Sequence, residues 1–312
     1  MSQTSHQTTG FDVRPVTPLT GAEIHGVDLT RPLDEPTRTA IYEAFLRWKV
    51  LFFRDQDISP DDQKRFAAYF GEITQAHPVA KGLPEHPEIW ERYADDYRTR
   101  SGELDLDQAT VEPPREYYGW HIDITFVANP AKASILWGKV IPPYGGDTIW
   151  SNLVAAYEGL SPKLRGFIDG LQAVHGGNRR GAYQREETDR RKATGPQVAV
   201  HPLVRVHPET GEKALFLNPG VVSHIVGLRA HESQKLLEVL IEEVTRARYH
   251  VRFHWEPHSI AFWDNRCLAH VGPVDYDFFD FPRTVNRVTL TGDLPVGPDG
   301  FVSHPLEGEL FN

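Results

Sequence analysis

From about residue 130 onward the chain reads as short β-forming runs, each closed by Gly, Pro or Asp. The runs are 134–140, 200–206, 213–218, 249–255, 259–263 and 285–291. Several short strands with frequent turn signals build sandwiches or barrels, not helical bundles. In 249–255 the residues Tyr249, Val251, Phe253 and Trp255 alternate with His250, Arg252 and His254. That period of two marks a strand with one buried face. The chain has 312 residues with no internal repeat and no low-complexity linker. The expectation is a β-rich α+β fold in one domain over 11–312, with helices packed outside the strands.

The first half supplies most of the helices. Val50-Leu51-Phe52-Phe53 is a short apolar run of strand formers. Ser59 then offers an N-cap, Pro60 the first helical position, and Asp62 completes a capping-box pattern. Phe66, Tyr69 and Phe70 give that helix an apolar side, and Gly71 supplies a stop. Helices are also expected over about 36–48, over 230–247 on the spacing of Leu236, Leu237, Leu240 and Val244, and from Ser161-Pro162 to near Gly170. Residues 1–10 read as a disordered tail. Segment 82–118 is rich in Glu, Asp and Arg, and reads as a surface loop or an active-site lid.

Charge and composition exclude several classes. The formal net charge is -10, so broad nucleic-acid binding is not expected. No apolar run approaches the ~20 residues that span a bilayer, and the first residues lack the pattern of a signal peptide. One cysteine, Cys267, rules out an intrachain disulfide. A cytoplasmic location is the default.

Trp120-His121-Ile122-Asp123 offers the clearest chemistry. If it starts a strand, His121 and Asp123 point to one face. A third ligand would complete a two-histidine, one-carboxylate site with open positions for other molecules. His270 is the candidate, seven residues after the apolar run Ile260–Trp263. Arg283 and Arg287 lie four apart in a strand-like segment. Two guanidiniums on an inward face would each need an anion, and arginine suits carboxylate or sulfonate recognition. His250, His254 and His258 fall on the alternating strand and do not form a helical ligand set. Cys267 has no paired base, Gly145-Gly146 and Gly176-Gly177 read as turns, and Asp264 with Arg266 braces a strand end.

The ordered blocks WHIDITF (120–126), GGDTIW (145–150), AAYEGL (155–160), HPLVRVHPETGEKALF (201–216), WDNR (263–266) and NRVTLTGD (286–293) resemble the taurine dioxygenase family of Fe(II)- and 2-oxoglutarate-dependent oxygenases. The resemblance runs from about Gly10 to Gly300. Block 201–216 and the tail 291–300 look most like its alkylsulfate-cleaving branch. The resemblance implies a double-stranded β-helix, or jelly roll, with flanking helices. It makes His121, Asp123 and His270 the ligands of Fe(II), and puts Thr148 and Arg283 at the distal carboxylate of 2-oxoglutarate. His77 and Arg287 match the positions that hold a sulfonate, and Trp120 would help line the site. O2 would be the other cosubstrate, with succinate and CO2 as products.

Two departures fall on the substrate side. The stretch between His77 and His121 is longer than in the taurine enzyme, and Val221 stands where that enzyme has an aromatic. The implied reaction is hydroxylation of a small organic anion, an alkylsulfonate or alkyl sulfate, releasing an aldehyde with sulfite or sulfate. A carboxylate such as an aryloxyalkanoate, or a secondary-metabolite intermediate, is the alternative substrate. A non-catalytic binding protein on the same fold is the alternative class, and the intact His121, Asp123, His270 and Arg283 set argues against it. A homo-oligomer, dimer or tetramer, follows from the resemblance alone.

Overall fold

A computed structural model of the chain describes residues 10–78, 81–93, 119–176, 197–272, 275 and 280–312. The elements in order are β1 (Asp12–Pro15), β2 (Ala22–His25), α1 (Glu35–Trp48), β3 (Val50–Phe53), α2 (Pro60–Ala68), β4 (Trp90–Tyr93), β5 (Ala133–Val140) and β6 (Thr148–Asn152). Then follow α3 (Leu153–Gly159), α4 (Pro162–Ile168), β7 (Gln172–Gly176), β8 (Val198–Pro202), β9 (Val204–Val206), β10 (Lys213–Leu215) and β11 (Val222–Ile225). The remainder are α5 (Ala230–Val244), β12 (His250–Phe253), β13 (Ile260–Asp264), β14 (Leu268–Val271), β15 (Thr284–Leu290) and β16 (His304–Glu307).

The main sheet runs β1-β2-β3-β13-β5-β15-β4, with only β2 and β3 parallel. Alternation along its strands sorts two cores. Leu51, Phe53, Ile135, Trp137, Ile260, Phe262, Val288 and Leu290 face outward, beneath Ile41 and Phe45 of α1 and Phe66 of α2. Phe45 stacks on Phe262 at 4.1 Å. Val50, Phe52, Leu136, Ala261, Trp263 and Val285 face inward. There they share a core with Trp150 and Phe253 of the sheet β12-β6-β14, and with Ala173 and Val222 of the sheet β11-β7-β8-β16. Phe52 stacks on Phe253 at 4.1 Å across this interior. Each fully buried side chain of this size contributes roughly 1.5–3 kcal/mol.

The capping box forms as expected: Ser59 Oγ accepts from the Asp62 backbone N–H, and Asp62 accepts from the Ser59 backbone N–H at 2.9 Å. α2 ends at Ala68, one turn before Gly71, because Tyr69 and Phe70 turn in toward the outer core. The run 200–206 divides at Leu203 into β8 and β9, which belong to different sheets. Within 82–118, residues Trp90–Tyr93 are not loop but the edge strand β4, paired antiparallel with β15. Residues 94–118 of that segment lie outside the described residues, as do 1–9 of the expected tail. No helix among the described residues is long and apolar enough to cross a membrane.

The blocks 201–216 and 291–300 meet in space. Arg205, 1% exposed, donates to Asp293 at 2.5 Å, and Val206 bridges Val296. His201 is fully buried and spans the Thr125 carbonyl at 2.7 Å and the Ser303 hydroxyl at 2.8 Å. A carbonyl only accepts, so Nε2 carries the proton and Nδ1 accepts from Ser303. Burial pushes this imidazole down from 6.5 to about 4. Between those values the unfolded chain binds more protons than the folded one, so stability is lost as pH falls through the window. One such group contributes on the order of 3 kcal/mol across it. The melting temperature is expected to drop between pH 7 and pH 4.5, and less steeply in His201→Asn. An identical slope in the variant would show that His201 does not titrate in this way.

Candidate metal centre and anion pocket

His121 and Asp123 do not sit on a strand. His121 makes one isolated bridge, donating from its N–H to the His270 carbonyl at 2.8 Å and accepting in return at 2.7 Å. The chain then turns through Asp123–Phe126, with Ile124 at φ +48°. A β-branched residue in that region is strained by on the order of 1–3 kcal/mol, so its surroundings must hold it. Asn218 does so, donating to the Ile122 carbonyl and to Thr125 Oγ1, both at 2.7 Å. The His201 bond to Thr125 adds a second clamp.

His121, Asp123 and His270 present ligand atoms within 4.8 Å of one another. His121 Nδ1 donates to the Gly119 carbonyl at 2.7 Å, which turns Nε2 toward Asp123 Oδ1, 3.9 Å away. This is the orientation a metal-ligating imidazole takes when its other nitrogen is hydrogen-bonded. Burial would raise the Asp123 carboxyl, but Arg287, then His270 and His121, hold it well below the usual carboxylate range. Burial keeps the His270 imidazole neutral. Two imidazoles and one carboxylate suit a divalent ion of the iron group.

A relay fixes the carboxylate from behind. Trp263 Nε1 donates to Asn265 Oδ1 at 2.9 Å, Asn265 Nδ2 to Ser134 Oγ at 2.9 Å, and Ser134 Oγ to Asp123 Oδ2 at 2.6 Å. The other oxygen accepts from Arg287 at 2.5 Å. Both Asn265 and Ser134 were missed from the sequence. The WDNR block pointed near Asn265, but its partner lies 131 residues away in β5.

A second cluster, His207, Asp264 and Cys267, is also close enough to hold a metal, but its protons are already committed. His207 Nδ1 accepts the N–H groups of Glu209 and Thr210, so Nε2 must donate to Asp264 at 3.1 Å. Arg266 grips the same carboxylate with Nε at 2.8 Å and Nη2 at 2.7 Å. Burial pushes the Cys267 thiol well up. The cluster is a structural brace, as expected for Asp264 and Arg266.

The anion-binding candidates fall into two groups. Thr148 Oγ1 accepts from Trp255 Nε1 at 2.9 Å, and the buried Arg283 guanidinium lies 5.8 Å from the Trp255 ring. Trp255 thus links the two residues expected at 2-oxoglutarate. Arg287 lies opposite Trp90 across β15 and β4, its guanidinium 4.6 Å from the indole. His77, 2% exposed, packs on the same indole at 4.5 Å. Trp90 was not foreseen, and its only sequence signal was an aromatic inside a charged stretch.

Trp120 is 5% exposed and packs against His250 at 4.8 Å, in the core that also holds Trp150 and Trp263. Val221 is buried at the end of the Asn218–Val221 turn. That turn approaches closely enough that a Cβ on Gly220 would lie 3.2 Å from the Trp120 carbonyl and 3.7 Å from His121 Cβ.

The chain is similar to known proteins. Residues 12–289 match the model of the taurine catabolism dioxygenase TauD, TfdA family. The chain is 40% identical to an alpha-ketoglutarate-dependent sulfate ester dioxygenase of Pseudomonas putida, over 94% of this chain and 93% of that protein. It is 36% identical to an alkylsulfatase of Acinetobacter baylyi, over 93% of this chain and 88% of that one. A crystal structure of a taurine dioxygenase from Burkholderia xenovorans superposes with TM-score 0.82 at 45% identity, covering 96% of each chain. The fold, the grouped His121, Asp123 and His270, and these similarities make the chain a member of the TauD/TfdA family and an α-ketoglutarate-dependent dioxygenase.

Proposed function

We propose that the enzyme uses Fe(II), 2-oxoglutarate and O2 to hydroxylate the carbon that bears a sulfate ester, ahead of a sulfonate. The enzyme has a double-stranded β-helix core, is cytoplasmic and assembles as a homo-oligomer, a dimer or a tetramer. The observation that carries it is the convergence of His77 and Arg287 on Trp90 beside Asp123. That puts an anion-binding pair next to the metal-ligating carboxylate. The 40% identical sulfate ester dioxygenase favours sulfate.

In this reading His121, Asp123 and His270 hold Fe(II), and Arg283 with Thr148 takes the distal carboxylate of 2-oxoglutarate. The iron, with 2-oxoglutarate and O2, supplies the oxidising chemistry when bound. The chain orients the reactants. Arg287 and His77 anchor the anionic head, so the adjoining C–H faces the ligand triad. Hydroxylation at that carbon gives a product that releases sulfate and leaves an aldehyde. From a sulfonate it releases sulfite.

The test is succinate formation with alkyl sulfates, taurine, longer alkylsulfonates and aryloxyalkanoates in turn. Alkyl sulfates are expected to give the highest kcat/KM. Turnover of aryloxyalkanoates alone would replace the sulfur anion with a carboxylate. In Arg287→Ala the substrate KM should rise more than about tenfold, the scale of a lost charge-assisted contact, with little change in KM for 2-oxoglutarate. An unchanged substrate KM would remove Arg287 from the anion site.

A further inference from the structure

We propose that Trp90 is a positioning residue that sets head-group specificity, by holding His77 and Arg287 at a fixed spacing suited to a tetrahedral sulfur oxyanion. The proposal rests on the sulfur-anion reading above. Three cation-forming groups from three stretches of chain meet on this one indole. Arg287 comes from β15, directly opposite Trp90 in the strand register. Arg92, two residues further along β4, shares the face of Trp90 and packs 4.6 Å from its ring. His77 comes from the segment after α2 and lies at 4.5 Å with its ring tilted by 40°.

The negative face of an indole attracts cations and is the strongest such surface among the side chains. Arginine otherwise has a long, flexible stem, so a stacking plate restricts where its fork can point. Arg287 donates to Asp123 at 2.5 Å, and Arg92, opposite Val285 in the strand register, shares that face of the sheet. Trp90 itself is only half-buried.

Geometry connects this plate to specificity. A carboxylate has two coplanar oxygens and can be satisfied by one arginine in a bidentate fork. A sulfate or sulfonate head spreads three oxygens in a pyramid and accepts from donors in different directions. Two donors from separate segments, locked to one ring, match the second shape. Released from the ring, Arg287 could turn its fork to a carboxylate.

Trp90→Ala, Trp90→Phe and the parent enzyme would be compared on n-hexyl sulfate and n-heptanoate. In Trp90→Ala the KM for n-hexyl sulfate should rise about tenfold, and its preference over n-heptanoate should shrink by a similar factor. Trp90→Phe should fall between, since a smaller ring keeps part of the plate. KM for 2-oxoglutarate should stay within about twofold. Calorimetric binding of n-hexyl sulfate to Zn(II)- and 2-oxoglutarate-loaded protein should weaken in the same order, without turnover. If Trp90→Ala keeps sulfate affinity and preference while Arg287→Ala loses them, the positioning role is wrong and the anion site stands. If neither variant affects sulfate, the anion site itself falls. Equal loss of 2-oxoglutarate and sulfate affinity in both Trp90 variants would mark Trp90 as merely structural and overturn the proposal.

Discussion

Asp123→Ala is expected to lose Fe(II) binding and with it all measurable succinate formation. Asp123 is 2% exposed and supplies the only carboxylate of the ligand set. Losing an outer-shell partner already costs ~10–100-fold in metal affinity, so loss of the ligand itself must exceed that. The variant also leaves Arg287, 5% exposed, without its 2.5 Å partner. Breaking a buried ion pair from one side costs about 3–5 kcal/mol, so the melting temperature should fall as well. Asp123→Asn preserves the shape and the Ser134 contact, and separates the metal effect from the packing effect. The measurement is the weak visible charge-transfer band formed when Fe(II) and 2-oxoglutarate are added without oxygen. An undiminished band in Asp123→Ala would remove this residue from the ligand set.

Asp264→Ala should produce the largest loss of stability of any single change outside the metal centre. Asp264 is 1% exposed and accepts from both Arg266 and His207. Arg266 also donates to Glu209, which in turn accepts from Tyr42 at 2.7 Å. Burial would raise the Asp264 carboxyl, but Arg266 and then His207 drive it far below the usual range. Its stabilisation is therefore present above the ordinary carboxylate value and lost only in strong acid. Removing it leaves a guanidinium that is 2% exposed with Glu209 as its remaining carboxylate, and His207 Nε2 without its acceptor, at a cost of about 3–5 kcal/mol. For a chain of this size that is roughly 5–8 °C in melting temperature. The effect reaches the metal ligands, because Asp264 closes β13 at the turn that carries Asn265 and leads into His270. Thermal denaturation checks it, and a shift of under 2 °C would refute the brace.

Local patterns carried most of the secondary structure. The alternation in 249–255 became β12, the Ser59 capping box formed, and the apolar runs 50–53 and 259–263 became adjacent antiparallel strands. These follow from periods and caps that act within a few residues. The assignments that differed depended on distant neighbours. The segment 120–123 looked like a strand, yet the bend at Ile124 is imposed by Asn218 and His201, about 90 and 80 residues on. Trp90–Tyr93 looked like loop, yet β15 recruits it as an edge strand.

The same division holds for the site. The chemistry on offer was legible in the residues alone: two imidazoles, a carboxylate and two arginines in recognisable blocks, because residue type sets what a side chain can bind. Which of them meet depends on the folded chain. Trp90, Ser134, Asn265 and Trp255 meet these residues from segments that drew no attention as motifs. The reason is physical. A hydrogen bond or a stacked ring acts over a few ångströms, and sheet register, not sequence distance, sets which side chains come that close.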